Sequence, residues 1–131
     1  MKIGFTVGVW DLFHEGHINF LKEAKKNCDY LYVGIMTDYW VRVQKGHDRP
    51  IESLEQRMVS LKTSGLVDKI VIIDTLDMTT YLQMIDIWFK GNEQKNMRPT
   101  QWSNEIYIER TPDVSTTELA KKLKELGRGE I

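Results

Sequence analysis

The sequence predicts an α/β domain: a five-stranded parallel sheet with helices on both faces. Three observations carry this. Short apolar runs alternate with stretches of helical periodicity along the chain, the order in which parallel strands and their crossovers are laid down. The chain has 131 residues, 41% of them hydrophobic, enough for one domain with a proper core. The first apolar run also opens into a turn bearing two glycines and two histidines, followed at once by an amphipathic segment.

The elements follow in order. Ile3-Gly4-Phe5-Thr6-Val7 reads as a buried strand. The next helix carries Ile18, Leu21, Ala24 and Cys28 on one face and is expected to run to about Cys28. Tyr30 to Met36 is a second strand. Thr37 to Pro50, polar and aromatic with Gly46 and Pro50, reads as a long excursion of the kind that often carries function. A helix from Ser53 to Ser64 turns Leu54, Met58 and Leu61 inward and stops at Gly65. Lys69 to Ile73 is a third strand, Thr79 to Ile85 a short helical piece, and Ile87 to Lys90 a fourth strand closed by Gly91. Asn92 to Asn104 reads as irregular and Glu105 to Glu109 as a fifth strand. A last helix from about Ser115 buries Leu119, Leu123 and Leu126 and stops at Gly127. With no repeat or linker, residues 1–131 are expected to form a single domain.

Composition narrows the function. A net charge of −1 gives no general attraction to nucleic acid or anionic membranes, so a phosphate site here must be local. The single cysteine, Cys28, cannot form an internal disulfide and reads as a core residue. No apolar run approaches the ~20 residues that span a bilayer. The N-terminus lacks a secretory pattern, and the expected location is cytoplasmic.

The chemistry concentrates in Gly8-Val9-Trp10-Asp11-Leu12-Phe13-His14-Glu15-Gly16-His17. The first N–H groups of a helix point outward with partial positive charge and bind phosphate. Glycine lets the backbone come close to a ligand. Two imidazoles add donors that can follow charge building on a phosphoryl oxygen. The plainer alternatives are one histidine bonded to backbone with the other solvated, or a zinc site. The chain's only other histidine, His47, makes zinc a poor fit. Near the other end, Ser115-Thr116-Thr117-Glu118 fits a capping box, and Arg110 just upstream adds a fork of guanidinium donors.

His-x-Gly-His after a first strand, together with Arg110-Thr111-Pro112-Asp113-Val114-Ser115-Thr116-Thr117, resembles the paired motifs of the nucleotidyltransferase superfamily. The version in glycerol-3-phosphate cytidylyltransferases is the nearest. The resemblance implies a Rossmann-like sheet with the first strand central, its ligands lying beyond the carboxyl ends of the strands. It implies transfer of CMP from CTP to a small phosphorylated alcohol, glycerol 3-phosphate first, giving CDP-glycerol and pyrophosphate by direct in-line attack. Mg²⁺ would bridge triphosphate oxygens. A homodimer is expected, with Tyr39 and Trp40 compatible with its interface. Alternatives are an adenylyltransferase acting on a sugar phosphate or cofactor precursor, and a nucleotide-binding module without turnover.

Carried over residue by residue, the resemblance makes His14, His17, Lys45 and Arg110 catalytic. Gly8, Val9, Trp10, His14, Gly16, His17, Gly91, Arg110, Thr111, Ser115 and Thr116 would bind nucleotide. Asp11, Lys45 and Arg57 would face the acceptor, with Arg49 a further basic candidate. Several of these carry a second reading. Asp11 could instead orient the turn, Trp10 could lie over the base or in the core, and Arg57 could form a surface pair with Glu55. The chain departs from the family pattern at Val9, where a hydroxyl is usual, and at Gly65, where a basic residue is usual. Asn92 stands for an aspartate, and the segment from Asp74 to Ile85 is short. These departures fall mainly on the acceptor side.

Overall fold

The computed structural model describes residues 1–46, 48–74, 79–91 and 105–109. The elements are β1 (Ile3–Gly8), α1 (Glu15–Lys26), β2 (Tyr30–Met36), α2 (Asp38–Lys45) and α3 (Leu54–Ser64). They continue with β3 (Lys69–Ile73), α4 (Thr79–Leu82), β4 (Ile87–Gly91) and β5 (Glu105–Ile108). The strands form one five-stranded sheet in the order β3-β2-β1-β4-β5, and every pairing is parallel. β1 is central, with Ile3 to Gly8 opposite Tyr30 to Ile35 of β2 and Gly4 and Phe5 opposite Ile87 and Trp88 of β4. The winding reverses between β1 and β4, where sheets of this type open a crevice for ligands.

Alternation along the strands sends side chains to two faces. On one, Leu31, Val33, Ile35, Ile87, Phe89 and Ile108 pack with Leu21 and Ala24 of α1 and Leu61 of α3. On the other, Phe5, Ile73 and Ile85 form a second cluster, and Tyr81 of α4 stacks on Phe5 with ring centroids 5.6 Å apart. Among the described residues no helix is long and apolar enough to cross a membrane.

Three elements differ from the sequence reading by more than one residue. α1 stops at Lys26 because the Asn27 N–H turns back to the Ala24 carbonyl, leaving Cys28 packed just beyond the helix. The excursion from Thr37 contains α2, capped by the Thr37 hydroxyl on the Trp40 N–H and ended at Gly46. α2 has eight residues, half of them polar, and buries only Val41, so it was too short a run to stand out from the excursion. α4 is shorter than read, since the Met84 N–H already closes a turn on the Tyr81 carbonyl. The segments from Asn92 to Asn104 and from Arg110 onward, including the last helix, lie outside the described residues.

Gly65 has a local reason to be glycine. It caps α3 at φ +71°, a left-handed conformation that a side chain disfavours. A Cβ there would meet no atom within 4 Å, so only backbone strain opposes substitution. Gly65→Ala is expected to cost about 1 kcal/mol, read as a melting temperature lowered by about 3–5 °C.

Candidate active site

The chain from Val9 to His14 joins β1 to α1 across the carboxyl edge of the sheet. It is an unusual turn. Trp10 and Leu12 both sit at positive φ, 59° and 49°, where residues with a Cβ are rarely found. Such a conformation persists when neighbouring groups over-determine it. Here those neighbours come from the segment between α2 and α3 and from α3 itself.

Asp11 is 1% exposed and its carboxylate accepts two backbone N–H groups, from Ile51 at 2.7 Å and Glu52 at 2.9 Å. The Arg49 Nε lies 3.6 Å away. Leu12 donates its N–H to the Glu52 Oε1 at 2.7 Å. Arg57 is fully buried. Its Nη1 donates to the Val9 and Met36 carbonyls, each at 2.8 Å. Its Nε reaches the Glu52 carbonyl at 3.2 Å and its Nη2 the Asp38 carboxylate at 2.5 Å. Asp11 and Arg57 were expected to face an acceptor, and Arg57 to pair with Glu55 at the surface as its second reading. The structure instead turns both into the protein, because the turn's own polar groups need them. For Asp11 this is the orienting alternative.

Trp10 takes its core alternative. It is 5% exposed, donates its Nε1–H to the Gly34 carbonyl at 3.0 Å, and sets its ring edge-on to His17. Gly8 admits this packing, since a Cβ there would lie 3.0 Å from the Trp10 Cε2. Val9 contributes its carbonyl to Arg57, and Gly91 ends β4 opposite Ile108 on the same edge of the sheet.

The two histidines form the cap of α1. His14, extended at φ −140°, is the N-cap, and its Nδ1 accepts the Gly16 N–H at 3.0 Å. The His14 N–H in turn donates to the His17 Nδ1 at 3.2 Å. This is a capping box built from imidazoles, with the rings stacked at a centroid distance of 3.9 Å. The Gly16 N–H, expected at the nucleotide, is thus taken by His14. In each ring Nδ1 accepts, so the proton belongs on Nε2. Burial pushes the His17 pKa down to about 3, with the neighbouring His14 adding to the effect. His17 is therefore a neutral Nε2–H donor near pH 7, on the first turn of a helix whose amino end is itself partly positive.

Lys45 is the last residue of α2 and is exposed, on a helix end rather than a loop. His47, Arg110, Thr111, Ser115 and Thr116 lie outside the described residues. Among the described residues no group of three or more His, Cys, Asp or Glu side chains could hold a metal. Sequence reasoning missed three residues. Glu52 and Asp38 act across gaps that leave no local signal. Lys90 was read only as strand: it is 6% exposed, lies one residue before Gly91, and pairs with Glu105 at 3.0 Å.

The model of the cytidylyltransferase-like family matches residues 5–125. The chain belongs to the cytidylyltransferase-like family. Among its relatives, the bifunctional protein HldE of Campylobacter jejuni strain RM1221 is 36% identical over 131 residues, 95% of this chain and 28% of that protein. HldE of Acidiphilium cryptum is 32% identical over 133 residues, covering 94% of this chain and 27% of the relative. The chain thus spans about a quarter of the length of these relatives. A lipopolysaccharide core biosynthesis protein from Thermoplasma volcanium superposes with a TM-score of 0.64 at 28% identity, over 97% of this chain and 89% of that one. A bifunctional NMN adenylyltransferase/ADP ribose pyrophosphatase from Francisella tularensis shares the fold, at a TM-score of 0.66 and 16% identity over 95% of this chain and 42% of that one. The family expectation holds. The finer likeness to glycerol-3-phosphate cytidylyltransferases gives way to HldE.

Two outcomes follow for this cytidylyltransferase-like domain. The unfolded chain has a histidine of ordinary pKa, near 6.5, where the folded one holds His17 at about 3. Between those values the unfolded state binds more protons, so stability present above pH 6.5 is lost as pH falls toward 3. Urea melts at pH 6.5 and 4.5 should differ by on the order of 2–3 kcal/mol from this group, and His17→Gln should remove that difference. Arg57→Leu strands three carbonyls and the Asp38 carboxylate, and is expected to cost about 3–5 kcal/mol in the same melts.

Proposed function

We propose that the chain is an adenylyltransferase that transfers AMP from ATP to a sugar phosphate, with a heptose phosphate the first acceptor to test. The histidine pair capping α1 carries the transfer chemistry: two Nε2–H imidazoles at a helix N-terminus, on the edge where the sheet winding reverses. The choice of nucleotide and acceptor is supported by likeness over nearly the whole chain to HldE proteins, and to a protein of lipopolysaccharide core biosynthesis, the core being a sugar structure. This is the alternative reading of the sequence rather than its first one.

An acceptor phosphate oxygen attacks the α-phosphorus of ATP, the new P–O bond forms, and the bond to pyrophosphate breaks. His14 and His17 donate to the α-phosphoryl and leaving oxygens, and need no change of protonation to do so. Arg110, Ser115 and Thr116 hold the β- and γ-phosphates, while Thr111 helps read the base. Lys45, exposed at the end of α2, adds a cation for the leaving group or the acceptor. Mg²⁺, held through the nucleotide and not by side chains of this chain, would supply positive charge to offset that of the departing pyrophosphate. The expected homodimer would use Tyr39, which is 66% exposed, whereas Trp40, also expected there, is half-buried and donates its Nε1–H to the Asp74 carbonyl.

The test is pyrophosphate release with Mg²⁺, comparing ATP and CTP against heptose phosphates and glycerol 3-phosphate. Release with ATP and a heptose phosphate is expected. Preference for CTP and glycerol 3-phosphate would overturn this reading in favour of CDP-glycerol synthesis. Nucleotide binding without release from any pair would make the domain a binding module. In the productive pair, His17→Ala should lower kcat by on the order of 10²–10³ while the chain still folds.

A further inference from the structure

Leu12 precedes the N-cap His14 by two residues and stands at φ +49°, a backbone conformation its side chain disfavours. Its N–H is fixed by the Glu52 Oε1 at 2.7 Å. Glu52 is half-buried and engages the turn through separate groups. Its backbone N–H goes to Asp11 and its carbonyl to Arg57, so the side chain alone addresses Leu12. We infer that Glu52 is a positioning residue for the transfer reaction, holding Leu12 in its left-handed conformation and so setting where the His14–His17 pair stands.

The physical case is a matter of lever arm. Rotating the Leu12 backbone toward an ordinary negative φ would swing the chain that delivers His14, and His14 is the residue whose N–H and Nδ1 organise both imidazoles. Misplacing reacting groups by about 1 Å can cost on the order of a hundredfold in rate. The bond needs an acceptor oxygen at the reach of a glutamate; negative charge is not required. The inference rests on the reading of the histidines as the transfer donors.

Two conservative variants separate reach from charge without disturbing the backbone bonds of residue 52. Glu52→Gln keeps an oxygen at the same reach and removes the charge, while Glu52→Asp keeps the charge and withdraws the oxygen. Pyrophosphate release is measured with the productive nucleotide and acceptor, alongside thermal melts and His17→Ala. The expected result is kcat within about threefold of the parent for Glu52→Gln. For Glu52→Asp it is a kcat lowered on the order of ten- to a hundredfold, with nucleotide KM within about twofold. Equal loss in both variants, wild-type kcat in Glu52→Asp, or a loss confined to KM would overturn the role. Unchanged turnover in His17→Ala would instead overturn the reading of the histidines, whatever the Glu52 variants do.

Discussion

Where parallel strands end, their last carbonyls lose the partners that the ladder provides, and something must satisfy them if they stay buried. At the ends of β1 and β2 that partner is the Arg57 guanidinium, which takes the Val9 and Met36 carbonyls together. The same planar fork reaches the Glu52 carbonyl and the Asp38 carboxylate, so a single buried cation ties β1, β2, the start of α2 and the approach to α3. A buried charge is tolerable only when its donors are answered in this way. The β1–α1 turn, with two residues at positive φ, stands on that frame.

From the turn follows the state of the histidines. His14 and His17 cap α1 through their Nδ1 atoms, and capping leaves the ring proton on Nε2. Stacking and burial among Trp10, Phe13 and His14 keep the His17 ring neutral. A neutral imidazole that is already oriented need not reorganise to meet charge developing on a phosphoryl oxygen, which is where preorganised donors act. Backbone strain, helix capping and proton placement are thus links in one chain of cause.

Much of the fold was legible in the sequence. Runs such as Tyr30 to Met36 and Ile87 to Lys90 are apolar and short, and the caps Ser53 and Gly65 bound α3 as read. α2 escaped because it is only eight residues long and half polar, although Thr37 before it and Gly46 after it are fair end signals. The strand–turn–helix setting of the histidines was legible in the sequence, while their capping of α1 through Nδ1 was not. Nor were the roles of Asp11 and Arg57: both are charged, and only the fold reveals that most of the groups facing them are backbone N–H and C=O groups, those of Asp11 and one of Arg57 lying 40–48 residues away. Gly65, a departure from the family pattern when read as an acceptor position, has a reason of its own as a left-handed cap.

The most direct test of this account is the protonation state of the imidazole pair, read by two-bond ¹H–¹⁵N correlation spectra of the histidine side chains. The account requires the Nε2–H tautomer in both His14 and His17 at neutral pH, with His17 still neutral at pH 5. An Nδ1–H tautomer in either ring, or titration of His17 near its ordinary value of 6.5, would contradict it.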